Sequence, residues 1–511
     1  MRFPPKCAFA VSVPRLLLFF GFLLSPIPVA LAGEPTVARP TTLHLTLHKA
    51  VELALAKNFS LQVERFQPQI ARQNVTQQLG RFDPVFNITG ERSENTVRDI
   101  FNGVEHFPGG DITRVDRFSL GLTGTTAWGT DYDLRLGTNN RTGTFNRFDD
   151  LFGSDATATL RQPILRGFGA DSNLAQLRIA RNNVLVSEWE LKQRLIEVID
   201  DTIGTYNDLH LAQENLRVAR GFRDLARQLL DDNVQRERIG VMSPLDITTA
   251  KAEAASREEI VIVAARAVKD NENFLKQLIT RDLESLLDIR VDIEQPPTPA
   301  FSSSTRAGIK EALELRPDYR QALLEIQRRN INLAFAKDQA LPRLDLQGSL
   351  SLLGFDNTLS SSAERIARRD QTGWSVGAIF SVPIPNREGR GSVLSAKLSA
   401  AQAVINLQRL EQQIVVDVDN AVGTVITSRE RIESTLVARQ LAVESLTAGE
   451  KRLSLGKGTT FEVLELQKKL AQAQFAELQA LTDYNNSVSK YERQTGTSLR
   501  VHNVVIEDAK R

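Results

Sequence analysis

The sequence predicts a mostly helical chain in which one unit is used twice. Short strands at one end would close a membrane barrel jointly with other copies, and long helices would continue the same tube in water. Three observations predict this class. The chain opens like an export signal, and no later apolar run approaches the roughly 20 residues of a spanning helix. The stretch Gln162 to Ala180, QPILRGFGADSNLAQLRIA, passes within a few residues from alternation with period 2 to a helical period of about 3.6, and Pro383 to Ala400 repeats the change more weakly. Matched residues also recur at fixed offsets in the two halves.

The first residues set the compartment. Arg2 and Lys6 precede an apolar run from Val11 to Leu24, interrupted by Arg15, and Ala30-Leu31-Ala32 offers a small-residue cleavage site before Gly33. Removing residues 1–32 leaves 60 basic and 62 acidic residues, because the leader holds three of the 63 basic residues and no acid. The one cysteine, Cys7, lies in the leader, so the mature chain has no disulfide, no thiolate metal site, no thiol nucleophile and no lipidated cysteine. Near-neutral charge gives no reason to expect nucleic acid.

Residues 33–42 read as a loose leader and Leu43 to Gly80 as one helix, with Val51, Leu55, Phe59, Val63, Phe66 and Ile70 at spacings of three and four. His44 and His48 are four apart, but no third metal ligand accompanies them. Gly80 and Pro84 end the helix. Strand patterns follow at Val85–Thr89, Phe118–Leu122, Tyr132–Leu136 and Ala156–Leu160, separated by polar loops at about 99–114 and 139–154; their alternation fits a lipid-facing barrel wall and a soluble sandwich equally. Trp128-Gly129-Thr130 is either a turn between two extra strands or part of an outer loop. Pro163 suits a strand end, Gly167 and Gly169 relax the corner, and Asp171 or Ser172 suits a helix cap. A helix from Asn173 to Arg238 would be about 100 Å long. Gly240, Val241 and Ser243 form a turn, Pro244 opens the returning helix to Ile279, and residues 281–306, with three prolines and a serine run, read as a linker or side element.

The second half repeats the first. Ala54 corresponds to Ala312 and Pro84 to Pro342, both at an offset of 258. Ile309 to Leu341 is helical, Leu344–Leu350 and Trp374–Phe380 are strands around a loop at 356–369, and Pro383 and Pro385 lead into a corner at Asn386 to Gly391. A long helix runs to Leu453. The turn Leu455 to Thr460 matches Ile239 to Pro244 at an offset of 216, and the last helix ends before Gly496. The expected organisation is a signal peptide at 1–32; a first repeat at 33–280, with strands at about 84–162 and a helical hairpin at about 170–280; a linker at 281–306; a second repeat at 307–496, with strands at about 342–382 and a hairpin at about 392–494; and a tail at 497–511.

Few strands per copy cannot close a membrane barrel alone, and an open edge in lipid strands its hydrogen-bond groups. An exported, anchorless chain with such strands is expected to close its sheet jointly with other copies.

The order and spacing of these motifs resemble the outer membrane efflux protein family, the TolC-like channels, over nearly all of the mature chain. LRQPILRGFG with Asn173 and Ala180 resembles the family's first strand-to-helix junction. Ala54 to Asn58 with Pro84, and Pro342, resemble the helix-to-strand passages. Gly456, Thr459, Phe461, Glu462 and Leu464 resemble the second tip turn, and Tyr484, Asn485 and Gly496 the closing signature. The resemblance implies a homotrimer whose barrel sits among outer membrane lipids of a Gram-negative envelope and whose helices form a periplasmic coiled-coil tunnel. It implies a periplasmic adaptor protein and, through it, an inner-membrane transporter of an efflux pump or type I secretion system. The chain itself would be a passive conduit, with no cofactor and no catalysis.

The family's entrance acids match Glu462 and Glu465, which alternatively read as solvated helix acids. Gly240, Val241, Ser243, Gly456, Thr459 and Thr460 would form the adaptor-facing turns. Arg236, Arg238, Lys451 and Arg452 would pair with the acids or with the adaptor. Pro84, Pro163, Gly167, Gly169, Pro342 and Pro383 mark the strand–helix junctions. The first strand region is longer than the second, so the strand count per copy stays open. Five scattered histidines suggest no common pocket, and the glycine pairs lack the Lys and Ser/Thr of a phosphate loop. The rival reading is a secreted coiled-coil structural or adhesive rod.

Overall fold

In a computed structural model, residues 42–504 are described apart from 99, 102–103, 106–109 and 241–242. The expected signal peptide at 1–32 and the tip residue Val241 lie outside the described residues.

Strand β1 (Thr42–Leu45) leads into α1 (Leu47–Lys57) and α2 (Phe59–Leu79). The sheet region follows: β2 (Val85–Val97), the short hairpin β3 (Ile100–Phe101) and β4 (Val104–Glu105), then β5 (Asp111–Thr125), β6 (Asp131–Gly143) and β7 (Leu151–Pro163). After α3 (Ala170–Asn173), the long helix α4 (Ala175–Arg238) turns back as α5 (Pro244–Ile279). Strand β8 (Arg290–Ile293) precedes α6 (Thr305–Leu315) and α7 (Pro317–Gln339). The second sheet region holds β9 (Arg343–Asp356), α8 (Leu359–Arg368) and β10 (Gln371–Ser381), and α9 (Arg387–Ser454), α10 (Thr460–Thr495) and α11 (Ser498–Val501) complete the described chain.

Several expectations need correction. The segment 43–80 is not one helix. Asn58 takes φ −59° and ψ 125°, and its side chain accepts from the Leu61 amide, so it ends α1 and caps α2. Thr42–Leu45 is extended because it pairs in parallel with Arg290–Ile293, inside the segment read as a linker. Ile309 to Leu341 breaks in the same way at Arg316, where φ is −62° and ψ is 125°; Pro317 excludes helical geometry for the residue before it. The loop expected at 356–369 contains α8, capped by Thr358. The loops expected at 99–114 and 139–154 are partly strand, since β5 starts at Asp111, β6 runs to Gly143 and β7 starts at Leu151. The corner Asn386 to Gly391 is mostly the first turn and a half of α9, which begins at Arg387 behind the Asn386 cap. Neither Asp171 nor Ser172 caps a helix: both lie inside α3, behind Gly169.

The helices keep a strict internal correspondence. An offset of 258 carries α1 onto α6, and an offset of 216 carries α5 onto α10, both 36 residues long. The cores correspond too. One cluster joins Tyr206, Leu209 and Leu275 to Ala50, Ala54 and Leu61. Its counterpart joins Val422, Val425 and Tyr491 to Ala312. Tyr206 ties the first to the small sheet, since its single hydroxyl proton is shared between the Glu294 carbonyl at 2.8 Å and the Leu45 carbonyl at 3.0 Å. Burial pushes its pKa up to about 12, which keeps that donor protonated.

The main sheet is antiparallel, with strand order β10-β9-β7-β6-β5-β2. Trp128-Gly129-Thr130 is the turn between β5 and β6, with Gly129 at φ +85°.

Candidate functional site

Three parts of the chain hold the candidate residues: the two tip turns, the strand–helix corners and the faces of the sheet.

At the tips, Gly240 and Gly456 adopt φ +78° and +71°, the left-handed region that a tight reversal needs and glycine enters without strain. Ser243 caps α5 by accepting from the Leu245 amide at 3.2 Å, and Thr459 caps α10 by accepting from the Glu462 amide at 3.2 Å. Thr460 is buried beneath the turn, with no hydrogen-bond partner for its hydroxyl among the described residues. Asn233 of α4 is fully buried with both amide atoms unpaired, a second polar side chain near a tip that the sequence reading passed over.

The charged candidates separate. Arg452 donates to Glu462 at 2.8 Å, across the turn. Glu465, one helical turn further on, is half-buried, and no ion pair joins it among the described residues. Arg236, Arg238 and Lys451 make no ion pair there either. The correspondence at 216 also exposes Asp246, which occupies in the first tip the place of Glu462 in the second. Its carboxylate accepts from the Ser243 amide at 3.3 Å as the far half of a capping box. The signal for Asp246 was already in the aligned turns.

At the corners, Pro84 and Pro342 stand just before β2 and β9, Pro163 ends β7, and Pro383 follows β10. Gly167 and Gly169 take φ +80° and +86°. Asn173 locks the first corner by donating to the Gly167 carbonyl at 2.8 Å and the Gly169 carbonyl at 2.9 Å. Asp338, which the sequence reading missed, accepts from the Gly167 amide at 2.9 Å and the Ser172 hydroxyl at 2.6 Å. It joins the end of α7 to the start of the long helical hairpin, so the corners of the two repeats are one structure. Nothing local marks this aspartate, because its partners lie more than 160 residues away.

The sheet is two-faced. Every cross-strand pair in it joins two even or two odd numbers, so one face carries even residues throughout. That face presents Phe86, Ile88, Leu120, Leu122, Leu134, Leu136, Ala156, Ala158, Leu350, Trp374 and Val376. The odd face carries Thr89, Ser119, Thr157, Thr159, Ser349 and Ser375. It also carries the cross-strand pairs Arg117–Glu91 at 3.4 Å, Arg135–Asp155 at 3.7 Å and Arg161–Asp131 at 2.8 Å. An apolar face backed by a polar one is the pattern of a lipid-facing wall. Among the described residues no helix is long and apolar enough to cross a membrane, and no cluster of metal-ligating side chains occurs. His44 contacts Asp292 at 2.6 Å.

Comparison with known proteins agrees with this geometry. Residues 308–497 match the family model of the outer membrane efflux proteins. The CmeC outer membrane channel of Campylobacter jejuni is 20% identical, with 88% of this chain and 86% of that one covered at a TM-score of 0.68. VceC of Vibrio cholerae, an outer membrane protein, is 16% identical, with 88% and 96% covered at 0.65. The MtrE outer membrane channel of Neisseria gonorrhoeae is 18% identical, with 88% and 89% covered at 0.61. No curated protein matches the chain in sequence. The chain thus carries an outer membrane efflux protein domain in its second repeat, and it has the TolC-like fold of the outer membrane channels.

Proposed function

We propose that this protein is the outer membrane exit duct of a tripartite efflux pump or type I secretion system. Three copies pool their sheets into one barrel, and their helices form a tunnel through the periplasm. The observation that carries this reading is the two-faced sheet at one end of helices about 100 Å long. A secreted rod would leave the face of Phe86, Leu120, Leu134 and Trp374 in water, an apolar patch far too large to stay bare. Along α2, Phe59, Val63, Phe66 and Ile70 recur at helical spacing and are exposed in the single subunit, as are Leu394, Leu398 and Ile405 on α9. Neighbouring copies would cover both stripes.

The duct performs no reaction. An inner-membrane transporter would supply the energy, and a periplasmic adaptor would seat on the turns around Gly240 and Gly456. Three copies of Glu462 and Glu465 would ring the entrance, where crowded carboxylates favour cations and resist anions. Asp246 adds a third acid per copy to the same end. The barrel's apolar face would meet outer membrane lipids, and the mature chain would carry no lipid of its own.

Purified protein in planar bilayers tests the reading. The expected result is a discrete, cation-selective conductance whose selectivity falls toward unity in Glu462→Gln/Glu465→Gln. Folded protein that inserts but passes no current would overturn the duct. Unchanged selectivity in the double variant would return the two acids to the helix surface.

A further inference from the structure

We propose that helix α8 is an interfacial anchor. It lies on the outside of the barrel wall, in the lipid headgroup layer of the outer leaflet, with Leu359, Ala363, Ile366 and Ala367 turned toward the acyl chains. The proposal rests on the reading that the even face of the sheet meets lipid, and it extends that contact beyond the strands.

The contacts of α8 fix its place. Strand β9 leaves α7 at Arg343 and ends at Asp356, so α8, which follows, lies at the end of the sheet remote from the long helices. There it packs on the even face. Ser362 is fully buried, and its hydroxyl meets that of Ser154 at 2.8 Å. Gly354, opposite Ser154 in the ladder, lies under the helix, where a Cβ would collide with the Ser362 carbonyl. A helix plugging the lumen would pack on odd-numbered residues instead.

This seat is the edge of the apolar band. Leu136, Ala156 and Leu352 form one cross-strand row of the even face; Thr138, Ser154 and Gly354 form the next, and Asn140, Phe152 and Asp356 the one after. Helix α8 rests on the middle row, where leucine and alanine give way to small and polar residues. Beside it, on the band, lies an apolar hollow of about 480 Å³ lined by Leu134, Leu136, Ala156, Ala158, Leu350 and Leu352. Acyl chains would fill it.

The helix is turned to match. With 3.6 residues per turn, Leu359, Ala363, Ile366 and Ala367 share one side, and Glu364, Arg365 and Arg368 share the opposite side. Arg365 donates to Asp356 at 2.9 Å, one row past Gly354 and further from the apolar band. The charged side therefore points away from the band and the apolar side toward it. Leu359 is 48% exposed in the single subunit, and Ala363 and Ala367 are exposed as well. The charges are paired on the spot, Arg365 with Asp356 and Arg368 with Glu364 at 2.6 Å, so the helix enters the headgroup layer without stranding an ion. A helix of this kind sinks its apolar face about 5–10 Å into the boundary between headgroups and acyl chains.

Fluorescence quenching tests the anchor, since the one native cysteine is Cys7 in the expected leader. Leu359→Cys, Ala363→Cys, Ala367→Cys, Glu364→Cys and Arg368→Cys are made singly in the full chain, labelled with bimane and checked for conductance. Each is then reconstituted into phosphatidylethanolamine–phosphatidylglycerol vesicles carrying a nitroxide beside the glycerol or at mid-chain. Leu350→Cys serves as the reference for the apolar band and Ser349→Cys for the opposite face. The expected result is that labels at 359, 363 and 367 are quenched by the glycerol-level nitroxide and shielded from aqueous iodide, while labels at 364 and 368 show the reverse. Labels at 363 and 367 as open to iodide as those at 364 and 368 would put α8 in water and overturn the anchor. Labels shielded from both quenchers would mean that protein covers the helix, which overturns it equally. If the label at 350 also escapes both nitroxides, the lipid-facing reading of the sheet fails and the anchor falls with it. In the same vesicles, oxidised Ser154→Cys/Ser362→Cys should lose both free thiols. Thiols that stay free in conducting protein would overturn the seat on the wall.

Discussion

The two repeats bend and turn at equivalent residues but secure those points differently. At the bends, Asn58 and Arg316 share the same backbone geometry and the same bond, each amide donating to an alanine carbonyl at 2.9 Å. Asn58 then makes only local capping contacts. Arg316 reaches across the subunit, donating to Asp318 at 2.7 Å, Asp417 at 3.3 Å and the Gln494 side chain at 3.1 Å. At the tips, Asp246 folds back on its own cap, while Glu462, one methylene longer, reaches Arg452. Arg236 stands where Arg452 stands in the other tip but has no such partner among the described residues. The two halves match in backbone and differ in side-chain partners. Of the two bends the second carries the long-range ties, and among the described residues only the second tip is joined by an ion pair. That pair is exposed enough to be worth about 0–1 kcal/mol, weak enough to be exchanged for other partners.

Arg316→Ala should therefore be the most damaging change at either bend. It leaves Asp318 and Asp417 without their guanidinium in a half-buried site, where losing hydrogen bonds to charged groups costs about 1.5–3 kcal/mol. Asn58→Ala should cost about 1 kcal/mol, the loss of one cap. Denaturant unfolding in detergent measures both, and equal losses would break the contrast. Gly240→Ala and Gly456→Ala should each cost about 1–2 kcal/mol, because both glycines have positive φ. Unequal values would show that the tips differ in backbone as well as side chains.

Arg452→Ala should change stability by less than about 1 kcal/mol yet raise the open probability in bilayers, and Arg236→Ala should leave gating unchanged. If the two variants gate alike, the asymmetry of the tips has no functional weight. The smallest effect is expected from pH. Burial pushes the pKa of His210 below its ordinary value against the opposing charge of Glu214. The equivalent position in α9 is Ile426. A lowered histidine pKa gives stability that is complete above about 6.5, the unfolded value, and declines as pH falls toward the folded one. His210→Gln should flatten that part of the pH–stability curve.

The fold class was legible where the backbone is dictated locally. Proline at 84, 163, 342 and 383 and glycine at 167, 169, 240 and 456 restrict or free φ whatever surrounds them. Alternation in β5, β6 and β7 shows because one side must be apolar. What stayed hidden depends on distant partners. β1 is a strand only because of residues nearly 250 positions later. Asn58 breaks a helix with neither proline nor glycine beside it. The start of β5, from Asp111 to Arg114, read as polar loop because its pairing with β2 includes Arg114–Glu94 rather than apolar side chains alone. Helix α8 was hidden by a serine- and arginine-rich sequence that also suits a loop. At the tips, the turns were legible and the Arg452–Glu462 contact was one of several pairings left open.

The unbroken even–odd ladder sets a rule for how this wall can change over evolutionary time. A single residue gained or lost inside any strand would turn every following side chain over, setting leucines toward water and arginines toward oil. Strands are therefore free to lengthen or shorten only in steps of two, while the hairpin ends tolerate any length. Variation among close homologues should accordingly gather at the rim and leave the staves untouched.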